Sequence, residues 1–310
     1  MKQNIYSRGY FIAALIILTA SCAKKEEALT PTTVREISFT WPEGNNDYDQ
    51  RIAKYYDRFG CFLLYRFSDK EAYWSIRSWD TTYKLKPADP LYVYQQLDLL
   101  DTTFFRYYAD STLREYLPSR VLLCSSITTS STIPKYVAQQ DCYLTATNNV
   151  GYVYANFPVN WGSSRINNIK GAADSVAIFR GNVNYAFLRL TTLRGKINRP
   201  AGFDALSDYT TPFSPSNQAE YYKRGFVGAY PGYSPGVTVD WENYLKAIVQ
   251  NSYAYLTDGT GISVTDGTFK GILSPVKDPN GAIRRKYDYV IGFYKNNYNI
   301  DLQRIGNGSL

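Results

Sequence analysis

The segment Gly232-Tyr233-Ser234-Pro235-Gly236 matches the G-x-S-x-G pattern of a nucleophile elbow, in which a serine attacks an acyl group. A serine in that role requires a base, usually histidine, and this chain of 310 residues contains no histidine. Pro235 also lacks the backbone N–H that would help to form an oxyanion hole. We therefore expect the segment to be a loop and not a catalytic turn.

Two acidic residues, Asp240 and Glu242, could form a catalytic carboxylate pair. At positions i and i+2 of a helix, however, they point to different sides and would not share a substrate. The acidic residues of the glycine-rich loops, Asp258, Asp266 and Asp278, lack the ligand alternation of a calcium loop and are predicted to form turns. The sequence has no glycine-rich nucleotide fingerprint and no P-loop, so we predict no cofactor.

Tyrosine is abundant, with 30 residues, and four of them surround a loop rich in glycine and proline: Tyr221, Tyr222, Tyr230 and Tyr233. A tyrosine has a flat apolar face and a polar tip, which suits it to binding sugars or peptides. Tyr230 and Tyr233 are therefore candidate ligand-binding residues. The alternative for each tyrosine is packing in the core.

The first 21 residues have the pattern of a signal peptide. Lys2 and Arg8 supply positive charge, and the apolar stretch from Phe11 to Leu18 is shorter than the roughly 20 residues that span a bilayer. Small residues then lead to Cys22, where a lipoprotein peptidase would cut. We predict a signal peptide over 1–21 and lipidation of Cys22, with an ordinary secretory signal as the alternative.

A polar segment follows Cys22. Residues 22–36 carry charges, proline and threonine but few bulky apolar side chains, which predicts a flexible tether. Lys24, Lys25, Glu26 and Glu27 resemble the signal that sends some outer-membrane lipoproteins to the cell surface. Basic residues elsewhere are scattered, so we predict no nucleic-acid partner. The expected location is the outer membrane, facing outward and held by the lipid.

The remaining cysteines are Cys61, Cys124 and Cys142. Cys61 and Cys124 lie in apolar runs, where cysteine often serves as a small buried hydrophobe. A disulfide between Cys124 and Cys142 is a second interpretation that an oxidising compartment would allow.

The hydrophobic pattern predicts strands mainly in the first half and helices in the second, which indicates a single α+β domain over residues 37–310. The predicted helices are 47–59, 89–116, 184–195, 216–225, 239–256 and 283–297. The predicted strands are 61–67, 120–127, 141–147, 151–157 and 174–180. Residues 257–267 are expected to form a loop or a short hairpin.

Several segments resemble one lipoprotein family. Gly225-Phe226-Val227-Gly228-Ala229-Tyr230, Val239-Asp240-Trp241-Glu242-Asn243 and Tyr298-Asn299-Ile300-Asp301-Leu302 are similar to segments of the substrate-import-associated zinc metallohydrolase lipoproteins. These proteins are encoded beside outer-membrane nutrient transporters. The resemblance implies a zincin-like, metallopeptidase-type fold and adds Trp241 to the ligand-binding candidates, because its helix would have presented the third zinc ligand.

The family's zinc motif, H-E-x-x-H, is missing. Counting back from Pro200-Ala201-Gly202-Phe203, which resembles the segment after the metal helix, gives a first register of Phe187, Leu188 and Thr191. Counting from the preceding predicted strand gives a second register of Arg180, Gly181 and Asn184. Neither register supplies the two imidazoles that hold zinc or the carboxylate that activates its water. The resemblance therefore implies a family member without metal or zinc catalysis.

Three functions follow from these observations. The first is a non-catalytic binding protein for a glycan or peptide, accessory to nutrient import, with a transporter and a partner lipoprotein as neighbours. The second is a hydrolase that uses carboxylates or other non-zinc chemistry. The third is a structural subunit that docks on an outer-membrane transporter.

Overall fold

A computed structural model of the chain describes residues 40–68, 83–129, 142–145, 173–193 and 195–309. The predicted signal peptide, the lipidated Cys22, the tether and the predicted strand 151–157 lie outside the described residues and stay predictions.

The described residues combine many helices with one small mixed sheet. The helices are α1 Asp47–Phe59, α2 Val93–Thr103, α3 Asp110–Tyr116, α4 Ala173–Leu193, α5 Ala201–Asp204, α6 Gln218–Lys223, α7 Val237–Gln250, α8 Tyr253–Thr257, α9 Ala282–Tyr298 and α10 Leu302–Asn307, with short 3-10 turns at Pro90–Tyr92 and Phe105–Tyr107. The strands are β1 Phe62–Leu64, β2 Tyr83–Pro87, β3 Arg120–Thr129 and β4 Cys142–Thr145.

Strand β3 is the centre of the sheet. Its first residues pair with β1 in parallel, Leu63 opposite Val121, and with β4 in antiparallel orientation, Leu144 opposite Val121. Its second half pairs with β2 in antiparallel orientation. Strand β1 is buried along its whole length, which explains its continuous apolar sequence.

Helix α1 confirms the predicted helix 47–59. The carboxylate of Asp49 accepts the backbone N–H of Asn46 at 2.8 Å and its side-chain amide at 3.0 Å, which caps the start of the helix. Gly60 ends the helix in the left-handed conformation, with φ of 68°, and its N–H bonds the carbonyl of Tyr56. Ile52, Tyr55 and Phe59 lie on its buried face.

The predicted strand 174–180 is wrong, because these residues begin α4. Phe179, Val183 and Phe187 are fully buried, whereas Ile178 is 57% exposed. That burial pattern has helical spacing, which continues through the predicted helix 184–195. A short apolar run cannot by itself distinguish a strand from the start of a buried helix.

Two predicted helices are interrupted. The stretch 89–116 breaks around Phe104 and Tyr108, and the stretch 239–256 breaks at Asn251 and Ser252. Phe104 and Tyr108 leave the helical path and pack their rings against Phe187 of α4. The hydroxyl of Ser252 starts α8 by accepting the N–H of Tyr255, so tertiary packing and a local cap replace helix continuation.

Helices α4 and α7 pack closely against each other, with the main hydrophobic core between the helices and the sheet. The described residues from Trp41 onwards belong to one compact unit. Within the described part of the chain, no helix has the length and apolar character required to cross a membrane.

The structure tests the prediction that Cys61 and Cys124 are buried. Cys61 and Cys124 are buried, as predicted, and burial raises the pKa of the Cys61 thiol. The backbone of Cys142 lies opposite Leu123, but its side chain lies outside the described residues, so the Cys124–Cys142 disulfide stays a prediction.

Candidate functional site

The first register of the expected metal helix lies in the core. Phe187, Leu188 and Thr191 on α4 are fully buried. The ring of Phe187 meets Phe104 and Tyr108 edge-on, at centroid distances of 5.2 and 4.9 Å. The hydroxyl of Thr191 donates to the carbonyl of Leu188 at 2.7 Å. All three positions therefore serve helix packing.

The second register is used in packing as well. A Cβ at Gly181 would lie 2.8 Å from the Cα of Gln250, so this glycine allows α4 to approach α7 closely. The Asn184 amide is buried and donates to the carbonyls of Thr103 and Arg180, both at 2.8 Å. Its oxygen accepts the hydroxyl of Tyr108 at 2.8 Å. The polar groups of Asn184 are thus satisfied inside the protein.

These positions do not fit a zinc ion. Zinc takes cysteine, histidine or carboxylate ligands, and the side chains of both registers offer none of them. The Asn184 oxygen, the nearest substitute for a ligand, is already an acceptor for Tyr108. Across the described residues, no group of three or more potential metal ligands was found.

Hydrogen bonds from one side chain hold the backbone of the loop that carries the candidate tyrosines. Gly228 and Gly232 have φ values of 88° and 87°, which give the loop its sharp turns. The Gln218 side chain donates to the carbonyl of Gly228 at 2.8 Å and accepts the N–H of Tyr230 at 2.7 Å. The predicted loop 232–236 is confirmed, since α7 begins only at Val237.

The two tyrosines of this loop differ in burial. Tyr233 is 66% exposed. Tyr230 is half-buried, and its ring lies 5.3 Å from Phe213 and 5.6 Å from Tyr221. Phe213, Tyr221 and Phe226 form a small hydrophobic cluster, separate from the main core, that supports the loop. We call Tyr230 and Tyr233 with this support the tyrosine loop.

Trp241 does not share this surface. It is fully buried in α7, stacked on Tyr294 at 5.9 Å and edge-on to Phe203 at 4.9 Å. Its stripe on the helix includes Tyr244, Leu245 and Ile248, which are also buried. The prediction that Trp241 contacts a ligand does not agree with this position, because a ligand could reach the indole only after core residues moved.

Asp240 lies in the first turn of α7. Its carboxylate forms an ion pair with Lys286 of α9, and both side chains are fully buried. The same oxygen accepts the hydroxyl of Tyr209 at 2.7 Å. Lys286 also donates to the hydroxyl of Ser207 at 3.0 Å. Asp240 and Lys286 lie 46 residues apart, so no local sequence pattern predicts this pair.

Aromatic rings enclose the ammonium group of Lys286. The ring centroids of Phe226, Phe203 and Tyr244 lie 4.7, 4.8 and 5.1 Å from Nζ. Burial lowers the pKa of Lys286 and raises that of Asp240, since each charged form loses water. With no exposed surface, the pair cannot meet a substrate, and it connects α7 to α9.

The other acidic candidates have separate partners. Glu242 accepts from Arg189 at 3.1 Å, so Asp240 and Glu242 do point to different environments, as predicted. Asp258 and Asp266 accept the backbone N–H groups of Thr260 and Thr268, each at 2.8 Å. These bonds confirm the prediction of turn residues.

Comparisons with known proteins give one structural similarity. No protein-family profile matches the chain, and no curated protein matches it. The structure is similar to a crystal structure of a Bacteroides caccae protein described as a "putative zinc-binding metallo-peptidase", with a TM-score of 0.46 and 14% sequence identity. The alignment covers 86% of this chain and 92% of that chain.

Proposed function

We propose that this chain is an exported lipoprotein, anchored through Cys22, that binds a glycan or peptide and does not use zinc catalysis. Its described body would be a zincin-like domain in which the metal helix has become a packing element. By the sequence resemblance, its place would be the outer surface of the outer membrane, beside a nutrient transporter and a partner lipoprotein.

The exposure of Tyr233 on a braced loop is the observation that carries the proposal. An isolated exposed tyrosine is ordinary, but Gln218 fixes the backbone beneath this one at both Gly228 and Tyr230. A loop backbone that is already held in place loses little conformational freedom when a ligand binds to the loop. Tyr230 adds a second, half-buried ring on the same loop.

The state of α4 supports a binding role over zinc hydrolysis. Phe187, Leu188 and Thr191 are core side chains, and Asn184 is held by three hydrogen bonds. Restoring an H-E-x-x-H motif in either register would place imidazoles in close-packed surroundings.

An array of glycans and peptides tests the proposal directly. The full chain, purified in detergent, is expected to bind at least one class of glycan or peptide on the array. Absence of binding to every glycan and peptide would contradict it. Metal analysis of the same sample separates binding from zinc hydrolysis: we expect no stoichiometric zinc, whereas one tightly bound zinc per chain, with peptidase activity lost on chelation, would overturn the non-catalytic assignment.

A further inference from the structure

A cavity that shares no lining residue with the tyrosine loop lies between the turn that precedes α3, the end of α9 and the start of α10. Its volume is about 350 Å³, within the range of small-ligand sites. Arg106, Lys295 and Arg304 line it, and Asp301 is the acidic residue in the lining. Three positive charges therefore face one negative charge. We call this cavity the arginine pocket.

The positive charges of the arginine pocket have no carboxylate partners within the described part of the chain, where the ion pairs use other side chains. Asp301 offsets only one of the three positive charges, and its carboxylate also accepts the backbone N–H of Arg304 at 3.0 Å and caps α10. The pocket consequently carries an excess of positive charge that an anion would balance.

Two guanidinium nitrogens, on residues that line the pocket, are buried without an acceptor. Nη2 of Arg106 and Nε of Arg304 have no hydrogen-bond partner within the described residues. A charged donor that has lost water and has no acceptor is unfavourable, and an oxygen of a bound anion would satisfy it. The planar donor fork of arginine matches the paired oxygens of a carboxylate or a phosphate.

One ring holds both arginines in place. The Tyr107 ring centroid lies 5.4 Å from Cζ of Arg106 and 5.9 Å from Cζ of Arg304. These cation–π contacts order the two side chains around the cavity before any ligand arrives. The α10 cap at Asp301 fixes the backbone of Arg304.

We propose that the arginine pocket binds the carboxylate or phosphate group of a small polar molecule. Arg106 and Arg304 would contact the oxygens directly, and Lys295 would add attraction from the last turn of α9. This site is separate from the tyrosine loop, so it can be present whether or not that loop binds a glycan or peptide.

Calorimetric titration of the full chain in detergent, at constant ionic strength, tests the proposal. The probes are inorganic phosphate, glucuronate and neutral glucose. We expect saturable binding of phosphate, glucuronate or both, and none of glucose. Binding of phosphate alone would identify a phosphate site, and binding of glucuronate alone would identify a site for acidic sugars. If neither phosphate nor glucuronate bound saturably, the proposal would be overturned.

Variants assign the binding to the pocket. The double variant Arg106→Gln/Arg304→Gln should weaken anion binding by about tenfold or more, since two charge-assisted contacts are lost. Arg285→Gln, an exposed change of one charge on α9, should leave it nearly unchanged. Arg304→Lys keeps the charge but loses the fork, and it should give an intermediate loss even if the double variant does not fold. Equal weakening by Arg285→Gln, or full affinity in Arg304→Lys, would contradict direct recognition by the guanidinium groups.

Discussion

Replacing Asp240 with leucine should destabilise the protein strongly, because Lys286 would remain as an unpaired charge in the core. Both side chains are fully buried, and the carboxylate also accepts the hydroxyl of Tyr209. Removing one partner of a buried ion pair typically costs about 3–5 kcal/mol. The part of this cost that comes from the unpaired charge has an upper limit, because Lys286 can lose its proton instead. Deprotonating a lysine with an ordinary pKa of about 10.4 costs about 4.6 kcal/mol at pH 7.

The double variant Asp240→Leu/Lys286→Met separates the charge from the packing. It removes both ions together, so the remaining cost is the lost hydrogen bonds to Tyr209 and Ser207. We expect a cost below about 2 kcal/mol for the double variant, much smaller than that of Asp240→Leu alone. Asp288→Leu, at an exposed position of α9, is the control and should change the free energy of unfolding by less than about 0.5 kcal/mol.

Urea unfolding at pH 7 and pH 9 measures these differences. In Asp240→Leu the folded state should hold Lys286 neutral, with a pKa well below that of the unfolded chain. Stability of this variant should therefore rise with pH, by up to about 1.4 kcal/mol per pH unit, and be lost as the pH falls. If Asp240→Leu lowered the free energy of unfolding by less than about 1 kcal/mol, or by an amount independent of pH, the assignment of a buried, charged pair would be refuted.

Three further predictions concern other parts of the chain. Gly306→Ala should destabilise the fold by several kcal/mol, because a Cβ would collide with the carbonyl oxygens of Ile248 and Asn251. Gly292→Ala on α9, whose Cβ would lie at an ordinary contact distance of 3.9 Å from the Asn296 amide, should be neutral or stabilising by about 0.5–1 kcal/mol in thermal melts. Burial raises the pKa of Glu43 to about 7, so its contribution to stability is present at low pH and is lost as the pH rises towards 7. We expect a decrease of about 1–2 kcal/mol after allowance for solvent screening, absent in Glu43→Gln, and a flat wild-type profile would contradict it. Cys22→Ser should abolish fatty-acid labelling and release the protein from membranes, and unchanged labelling would disprove the anchor.

Local signals in the sequence were sufficient for several elements. Helix α1 was predictable because its apolar spacing, its capping residues and Gly60 all act within a few residues of one another. The other elements depend on packing between residues that are distant in sequence. The short apolar run at the start of α4 predicts a strand, because it does not reveal the neighbours that bury one face of a helix there.

Fewer features of the candidate sites than of the fold could be predicted from the sequence. Glycines and proline around Tyr233 indicated a loop, and Tyr233 is exposed there. Trp241, a candidate by resemblance, shares a helical stripe with Tyr244, Leu245 and Ile248, and the whole stripe lies in the core. The Asp240–Lys286 pair and the arginine pocket join residues far apart in sequence, so only the fold brings them together.

Titration of the glycan or peptide identified on the array tests the central claim, recognition through the tyrosine loop, most directly. Tyr233→Ala should weaken binding by about tenfold, the effect of losing roughly 1.4 kcal/mol of stacking, with an unchanged melting temperature. Tyr94→Ala, which removes a half-exposed tyrosine on α2, is the control and should bind like the wild type. Tyr230→Phe should keep the packing on Phe213 and Tyr221 and report on the hydroxyl alone. Equal affinity of Tyr233→Ala and the wild type would contradict the account.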